Sequence, residues 1–266
     1  MPSSRSAAAL ALGAAAAQLF FAGGALADVT SCSLDSSQLS CHNTSKVTDT
    51  CCFNSPGGLL LQTQFWDTDP ATGPSDSWTI HGLWPDNCDG TYASNCDPSR
   101  EYSNITAILR AQGRTELLDY MQTYWKDDEG DDEGFWEHEW NKHGTCINTI
   151  EPSCYTDYYP QEEVGDFFQK VVDLFQGLDT YKALAAAGIT PSSSKTYRLS
   201  ELQDAISQAN GGHTVMIGCD GNRLNEVWYY FNVRGNAITG TYVATDSGMS
   251  CFCKCCIRTA NSRTAR

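Results

Sequence analysis

Three of the five histidines of this chain fall in two short segments that are rich in aromatic and charged residues. One segment, residues 78–86, contains His81, and the other, residues 135–146, contains His138 and His143. Histidine gains and loses a proton near neutral pH, so histidines that converge in the fold could supply both an acid and a base to one reaction. The two segments are therefore the first candidates for an active site.

The second segment would place four titratable groups on one side of a helix. If residues 135–143 are helical, Lys142 lies about 40° from His138 around the helix axis, Glu139 about 100° and His143 about 140°. Gly144 is expected to stop the helix next to His143. An acid, a base and two groups that stabilise charge could then meet near one helix end.

These residue types suit the cleavage of a phosphodiester by the neighbouring 2′-hydroxyl of a ribose. One imidazole would remove the 2′ proton, a second would protonate the leaving 5′ oxygen, and a cation would stabilise the charge that builds on phosphorus. No step requires a metal or another cofactor, and we expect none. Because only RNA carries the attacking hydroxyl, the same chemistry excludes DNA as a substrate.

Two other interpretations of the second segment are weaker. His138 and Glu139 begin like a zinc-peptidase motif, but that motif needs its second histidine four residues after the first, and Lys142 occupies that position. Alternatively, the histidines could be surface groups on an ordinary amphipathic helix. That alternative accounts for one histidine better than for two histidines, a glutamate and a lysine on one face.

The first 27 residues have the layout of a secretory signal peptide. Arg5 precedes an apolar stretch, residues 7–26, and cleavage is expected before Asp28. All thirteen cysteines follow this segment, a density typical of an oxidising compartment. We therefore expect secretion to the medium, or delivery to a vacuolar or lysosome-like compartment, with no membrane anchor. Asn43 and Asn104 lie in glycosylation sequons, which agrees with a secretory route.

The formal net charge of −15 at pH 7 argues against a broad basic surface for duplex DNA. A polyanionic substrate would need a locally basic site. Acid pH would also help, because carboxylates begin to neutralise near pH ~4 while histidines become cationic near ~6.5. The acidic run at residues 127–133 is interpreted as a solvated loop before a helix, since it lacks the spacing of an EF-hand calcium loop.

Hydrophobic periodicity places strands at both ends of the chain and helices mostly in the middle. Strands are predicted within residues 59–66, 78–81, 214–218 and 227–233, and helices within 115–125 and 164–175. Ser200 and Gln203 suggest a capping box that opens a further helix. This order favours an α+β fold, a single domain with a central, mainly antiparallel sheet packed against several helices and stabilised by disulfides. We divide the chain into a signal peptide (1–27), a catalytic domain (28–251) and a basic C-terminal tail (252–266) that we expect to be disordered.

The two histidine segments resemble the active-site blocks of the ribonuclease T2 family, the acid, base-nonspecific ribonucleases, and in particular its fungal members. Residues 80–85 read Ile-His-Gly-Leu-Trp-Pro, and residues 135–146 read Phe-Trp-Glu-His-Glu-Trp-Asn-Lys-His-Gly-Thr-Cys. Neither block departs from the family pattern. The resemblance extends over residues 31–251 and implies a metal-independent endoribonuclease that acts on single-stranded RNA.

The resemblance also implies a role for each active-site residue. His143 would be the general base on the 2′-hydroxyl, and His81 the general acid on the leaving oxygen. His138 would hold the phosphate. Glu139 and Lys142 would polarise the phosphate and stabilise the transition state. The products would be 2′,3′-cyclic phosphates and then, by slower hydrolysis, 3′-phosphates.

A base site with little specificity is implied as well. Trp84 and Tyr92 would stack on the base 5′ to the cut, Asp86 would accept a hydrogen bond from its exocyclic amine, and Phe135 would help to seat the downstream base. For Trp84, packing in the core is an open alternative, and Asp86 could instead be a turn residue after Pro85.

Ten of the thirteen cysteines are paired by the resemblance, because counting alone cannot pair them. The expected disulfides are Cys32–Cys52, Cys41–Cys88, Cys51–Cys154, Cys96–Cys146 and Cys219–Cys251. Three cysteines remain in the tail, at positions 253, 255 and 256, and we have no physical account of them.

Two other classes of function stay open. One is an RNA-binding or cytotoxic protein in which catalysis is dispensable, but the intact set of histidines, glutamate and lysine argues against it. The other is a disulfide-stabilised binding module, which leaves that grouping unexplained. We expect a monomeric enzyme.

Overall fold

The computed structural model describes residues 29–33, 38–42 and 47–248, and the backbone of residues 256–258. These residues form one α+β domain with a seven-stranded sheet, as the sequence predicts. The signal peptide, Asn43 and Cys251 lie outside the described residues, so the expectations for them stay predictions.

The elements are numbered in chain order. The strands are β1 (Leu59–Phe65), β2 (Thr79–Asp86), β3 (Thr196–Arg198), β4 (Met216–Asp220), β5 (Arg223–Arg234), β6 (Thr241–Thr245) and β7 (Cys256–Arg258). The helices are α1 (Ile105–Ala111), α2 (Thr115–Tyr124), α3 (Asp132–Lys142), α4 (Glu162–Gly177), α5 (Thr180–Ala186) and α6 (Leu199–Ala209). Short 3₁₀ turns connect α3 to α4.

The sheet is built around the long strand β5. Strand β1 pairs with β5 on one edge and with β2 on the other, while β4 and β6 pair with β5. All of these pairs are antiparallel, and only the contact of β5 with β7 is parallel. This topology places β2 two strands away from β5, with β1 between them.

Helices α1 to α4 form the main hydrophobic core with one face of the sheet. The apolar stripe of α4 is buried at Val164, Phe167, Phe168 and Val171, as its 3.6-residue period predicts. Burial of each such side chain adds about 1.5 to 3 kcal/mol to the free energy of unfolding. Trp140 of α3 packs against Phe167, so this core also fixes the helix that carries the second histidine segment.

Two details at the helix and chain ends differ from expectation. Helix α6 begins after Arg198, and Glu201 accepts a hydrogen bond of 2.6 Å from the Arg198 backbone. The capping box predicted at Ser200 and Gln203 was therefore wrong, because the helix starts earlier than the hydrophobic pattern shows. Three residues of the tail that we expected to be disordered, Cys256–Arg258, form β7 and pair with β3. The domain boundaries themselves stay predictions.

Four of the five expected disulfides are present. They are Cys32–Cys52, Cys41–Cys88, Cys51–Cys154 and Cys96–Cys146. Cys219 is also disulfide-bonded, but its expected partner lies outside the described residues. Among the helices that the structure describes, none is both long and apolar enough to cross a membrane.

Candidate active site

A β-bulge in β2 determines where His81 points. The pairing of β2 with β1 shifts from Gln64 opposite Ile80 to Thr63 opposite Gly82, so His81 is the extra residue. A bulge of this kind changes the direction of the local side chains and is common beside active sites. Alternation along the strand predicted a strand here but did not reveal the bulge.

The His81 ring is held on several sides. It stacks on Phe65 with 3.9 Å between ring centroids, and its Nδ1 lies 3.1 Å from Glu226 Oε1. Its Nε2 faces Glu139 Oε1 at 3.7 Å, and its edge contacts Trp84 at 4.6 Å between centroids. The ring remains partly accessible, with 18% of the side chain exposed. His81 is therefore positioned and open to a substrate.

Helix α3 carries the other catalytic candidates. Its start is capped by Asp131, whose carboxylate accepts a hydrogen bond from the backbone N–H of Gly134. Acidic residues in the first turn interact favourably with the helix dipole. The helix ends at Lys142, and His143 is its C-cap residue. The helix thus stops next to His143 and before Gly144, as the sequence predicts, although Gly144 has no positive φ. Gly144 is required because a Cβ at this position would overlap the Trp140 ring.

The chain after α3 is tied to the loop at residues 95–96. The backbone of Asn95 donates to the Lys142 carbonyl at 3.1 Å, and Cys96 donates to the Thr145 hydroxyl at 3.1 Å. The Cys96–Cys146 disulfide closes the same junction. These links fix the helix end that presents Lys142 and His143.

Glu139 is completely buried beneath the two histidine segments. Its Oε2 accepts a hydrogen bond of 2.9 Å from the Trp84 indole, whereas its Oε1 has no hydrogen-bond partner. Burial raises the pKa of Glu139 to about 7, although His81 and Lys142 act in the opposite direction. At acid pH the carboxyl is protonated and can donate a hydrogen bond from the unpartnered oxygen. Gly82 is necessary for this arrangement, because a Cβ there would overlap the carboxylate.

His143 is only 5% exposed, and its ring stacks on Trp84 with centroids 5.1 Å apart. Burial lowers the pKa of His143 to about 2, and the neighbouring Lys142, His81 and His138 lower it further. Its imidazole is therefore neutral at acid pH. A neutral imidazole has the free lone pair that a base needs, while the same burial weakens its affinity for a proton.

His138 completes the group and is the most accessible of its members on α3. Its ring centroid lies 6.3 Å from that of His143. Burial, Lys142 and His81 all lower the pKa of His138. The structure thus brings together His81, His138, Glu139, Lys142 and His143, as the helical geometry predicted, while their individual roles stay predictions.

His138, Glu139 and His143 also offer ligand atoms that lie within 4.8 Å of one another, a grouping that could hold a metal ion. The sequence argument excluded the zinc-peptidase motif, and this grouping does not have that motif's four-residue spacing, because Lys142 occupies the fourth position. Two features compete with a metal here, since Trp84 already donates to Glu139 and the charge of Lys142 acts on all three groups. Metal-independent chemistry stays a prediction.

The expected base-site residues lie at the end of β2. The Trp84 ring contacts the imidazoles of both His81 and His143, while its contact with a base stays a prediction. Asp86 forms a β-bridge with Tyr92, which is 64% exposed. The intervening loop is tied down by the Cys41–Cys88 disulfide. Burial raises the pKa of Asp86 to about 7.

Beside His81 and Phe135 lies a cavity of about 540 Å³, here called the downstream cavity. Phe135 lies 5.7 Å from His81 between ring centroids, a position that suits contact with a base on the leaving side. Seven charged residues line the cavity: Asp67, Asp69, Lys126, Asp127, Asp128, Asp220 and Arg223. This part of the site is not the locally basic surface we expected, because aspartates outnumber cations.

Glu226 and Phe65 are residues of the site that the sequence did not identify. Glu226 lies in β5, directly before the apolar stretch that predicted this strand, and Phe65 ends β1. An acidic residue at the start of an otherwise apolar strand is a weak signal, because it is also common at exposed strand ends. Glu226 and Phe65 contact His81 because β1 lies between β2 and β5 in the sheet, which the sequence does not reveal.

Comparisons with known proteins agree with this geometry. A family model described as the ribonuclease T2 family matches residues 57–253. Ribonuclease T2 of Aspergillus oryzae is 64% identical over 244 residues, which cover 92% of this chain and 87% of that protein. Ribonuclease M of Aspergillus phoenicis is 64% identical over 228 residues, covering 85% of this chain and 94% of that protein.

A solved structure of similar sequence extends the agreement to the fold. The crystal structure of Actibind, described as a T2 ribonuclease, has a TM-score of 0.86 at 62% identity and covers 89% of this chain and 100% of that one. The chain therefore belongs to the ribonuclease T2 family and is a T2-type endoribonuclease that acts on RNA.

Proposed function

We propose that the chain cleaves single-stranded RNA by internal transesterification, with His143 and His81 as the base and acid. His143 removes the proton from the 2′-hydroxyl, whose oxygen forms a bond to phosphorus. The bond from phosphorus to the 5′ oxygen breaks, and His81 gives that oxygen a proton. Products are a 2′,3′-cyclic phosphate and a free 5′-hydroxyl.

One observation carries this assignment. His81 and His143 contact the same Trp84 indole, and their environments differ in opposite ways. His143 is buried among cationic groups and has a lowered pKa, whereas His81 is more accessible and lies 3.1 Å from the Glu226 carboxylate. A buried neutral imidazole and a carboxylate-flanked imidazole are suited to accept and to donate a proton, respectively.

The remaining charged residues act on the phosphate. Protonated Glu139 donates to a phosphate oxygen through Oε1, the oxygen that no other group occupies. Lys142 supplies a positive charge against the charge that develops on phosphorus, and His138 binds the phosphate from the accessible side. Because Glu139 has a pKa of about 7, this set favours catalysis at acid pH.

Base contacts come from either side of this centre. We assign Trp84, Asp86 and Tyr92 to the base 5′ to the cut, and Phe135 with the downstream cavity to the base 3′ to it. Stacking on aromatic rings is tolerant of sequence, so little base specificity follows. In the slower second step, His81 takes a proton from water, whose oxygen forms a bond to phosphorus. The bond from phosphorus to the 2′ oxygen breaks, His143 gives that oxygen a proton, and a 3′-phosphate results.

The cellular setting is proposed from the sequence. We propose a secreted or vacuolar monomer, with glycans on Asn43 and Asn104 and no action on DNA or membranes. Asn104 is exposed and precedes α1, a position that a glycan can reach.

An analysis of product ends tests the proposed reaction. Purified protein is incubated with single-stranded RNA from acid to neutral pH in chelator, alongside His81→Ala, His143→Ala and His213→Ala. His213 is a matched control, because it lies outside the site in a pair with Asp246. We expect cyclic phosphate ends with the wild type and His213→Ala, and none with the other two. Loss of cleavage in chelator would contradict the proposal.

A further inference from the structure

The acid His81 has a carboxylate partner that lies outside both histidine segments. Glu226 Oε1 lies 3.1 Å from His81 Nδ1, and 19% of the Glu226 side chain is exposed. The opposite ring nitrogen, Nε2, faces the buried centre at Glu139. We propose that Glu226 is a positioning residue that holds His81 with Nδ1–H bonded to carboxylate and Nε2–H directed at the leaving oxygen.

The chemistry of the two nitrogens supports this assignment. An ionised carboxylate only accepts hydrogen bonds, so Nδ1 must donate to Glu226. When His81 transfers its proton from Nε2, the ring becomes neutral with its remaining hydrogen on Nδ1. That is the tautomer which Glu226 binds, so the hydrogen bond persists throughout the transfer.

The fold is arranged so that these two side chains meet. β2 and β5 are separated by β1, so their backbones lie roughly 10 Å apart. Phe65 of β1 is paired with Glu226 across the sheet, and its ring stacks on His81. Phe65 therefore lies between the two strands that carry these side chains. A second bulge, in β5 opposite Gly218 and Cys219, directly precedes Glu226.

Gly218 provides the space for this carboxylate. A Cβ at Gly218 would lie 3.0 Å from Glu226 Cβ and 3.1 Å from Glu226 Oε2, closer than ordinary contacts. A larger residue in β4 would therefore displace Glu226 without altering its charge. A substitution at Gly218 therefore tests whether the position of the Glu226 carboxylate matters while the carboxylate itself is kept.

Other charged groups also face His81 and must be considered in any pH profile. Glu139, His138 and Lys142 approach it from α3, and His143 from the helix end. The seven charged residues of the downstream cavity lie on its open side. Glu226 is distinct from these in making a hydrogen bond to the His81 ring.

The inference rests on the proposed function, and the choice of leaving group tests it. Glu226→Gln is compared with wild type on a dinucleotide and on a nucleoside 3′-(nitrophenyl phosphate), whose leaving group departs without a proton. Because general acid catalysis contributes about 10²- to 10⁴-fold, we expect kcat on the dinucleotide to fall about 10- to 100-fold. KM should change little, and turnover of the nitrophenyl ester should stay within about threefold of wild type.

Two further variants exclude a merely structural effect. Gly218→Ala should give the same leaving-group dependence in a milder form, and it serves if Glu226→Gln does not fold. Glu116→Gln on the exposed surface of α2 makes the same change of side chain away from the site and should behave as wild type.

A double variant identifies His81 as the group through which Glu226 acts. Adding Glu226→Gln to His81→Ala should cause no further loss on the dinucleotide, since the positioned group is absent. Equal losses on both substrates, or full activity of Glu226→Gln on the dinucleotide, would overturn the inference. If wild type itself gave no cyclic phosphate, the proposed function would fail instead, so the two failures are distinguishable.

Discussion

The Trp84 indole donates a hydrogen bond of 2.9 Å to Glu139 Oε2 while its ring stacks on His143. This single side chain joins residues of the two histidine segments and satisfies one oxygen of a completely buried carboxyl group. The first segment therefore supplies more than His81, because it also fixes two groups of the second. The positions of the side chains in this site therefore depend on contacts between the two segments as well as on the structure of each segment.

Trp84→Phe should keep the ring packing but leave Glu139 Oε2 without its donor. An unsatisfied buried polar atom costs about 1 to 3 kcal/mol, so we expect a lower free energy of unfolding together with a lower kcat. Trp228→Phe is the matched control, because the Trp228 indole nitrogen has no hydrogen-bond partner among the described residues. Chemical unfolding and steady-state kinetics measure both variants. Equal destabilisation by the two changes would contradict this account.

The raised pKa of Glu139 should appear as a pH-dependent difference in stability. Its pKa is about 7 in the folded protein against an ordinary value of 4.5, so the folded state binds this proton more tightly than the unfolded state. The stabilisation is complete below pH 4.5 and is lost as the pH rises through 7. Glu139→Gln cannot ionise and keeps an oxygen for Trp84.

The free energy of unfolding of Glu139→Gln, minus that of wild type, should therefore rise across this pH window. The increase is at most about 3 kcal/mol, because the pKa rises from 4.5 to about 7 and each pKa unit corresponds to about 1.4 kcal/mol. Urea titrations at several pH values would measure it. A difference that stays constant with pH would show that Glu139 titrates normally.

Gly82→Ala should disturb the centre without changing any functional group. A Cβ at this position overlaps the Glu139 carboxylate, so the carboxylate or the β2 backbone must move. We expect a loss of about 1 to 3 kcal/mol in stability and a marked fall in kcat. Gly177→Ala in α4, where a Cβ meets open space, should leave kcat unchanged and should not lower stability. Wild-type kinetics for Gly82→Ala would mean that this close approach does not matter for catalysis.

Asp86→Leu should change the preference for the base 5′ to the cut. Adenine has an exocyclic amine that Asp86 can accept from, and uracil has none. We expect Asp86→Leu to lower kcat/KM for the adenine substrate about tenfold relative to the uracil substrate. Tyr92→Leu should lower kcat/KM for the two substrates equally, because each base loses the same stacking contact. Dinucleotides that differ only in this base provide the measurement. An equal effect of Asp86→Leu on both bases would assign Asp86 to the turn rather than to recognition.

Much of the site could be predicted because it is local in sequence. The spacing of His138, Glu139, Lys142 and His143 on one helix determines their common face, and aromatic alternation around His81 predicted its strand. The parts that were missed depend on tertiary geometry. The β-bulge at His81, the partner Glu226 from two strands away and the role of Gly144 beside Trp140 follow from register and packing, which no local pattern encodes.

The expectation of a locally basic site failed for a related reason. Net charge describes the whole chain, whereas the charge of a site depends on which side chains the fold brings together. The downstream cavity therefore holds more aspartates than cations. The fold class was predicted well, because the apolar stretches of β1 and β5 and the 3.6-residue period of α4 are strong signals.

The central claim is that a ribose 2′-hydroxyl attacks the phosphate with histidines, and no metal, as the proton carriers. Its most direct test uses a DNA strand that contains a single ribonucleotide, incubated with the protein in chelator at acid pH. We predict one cut, immediately 3′ to the ribonucleotide, with a 2′,3′-cyclic phosphate on the 5′ fragment and no cut with His143→Ala. Cleavage at deoxynucleotides, or cleavage that requires an added metal ion, would contradict the account.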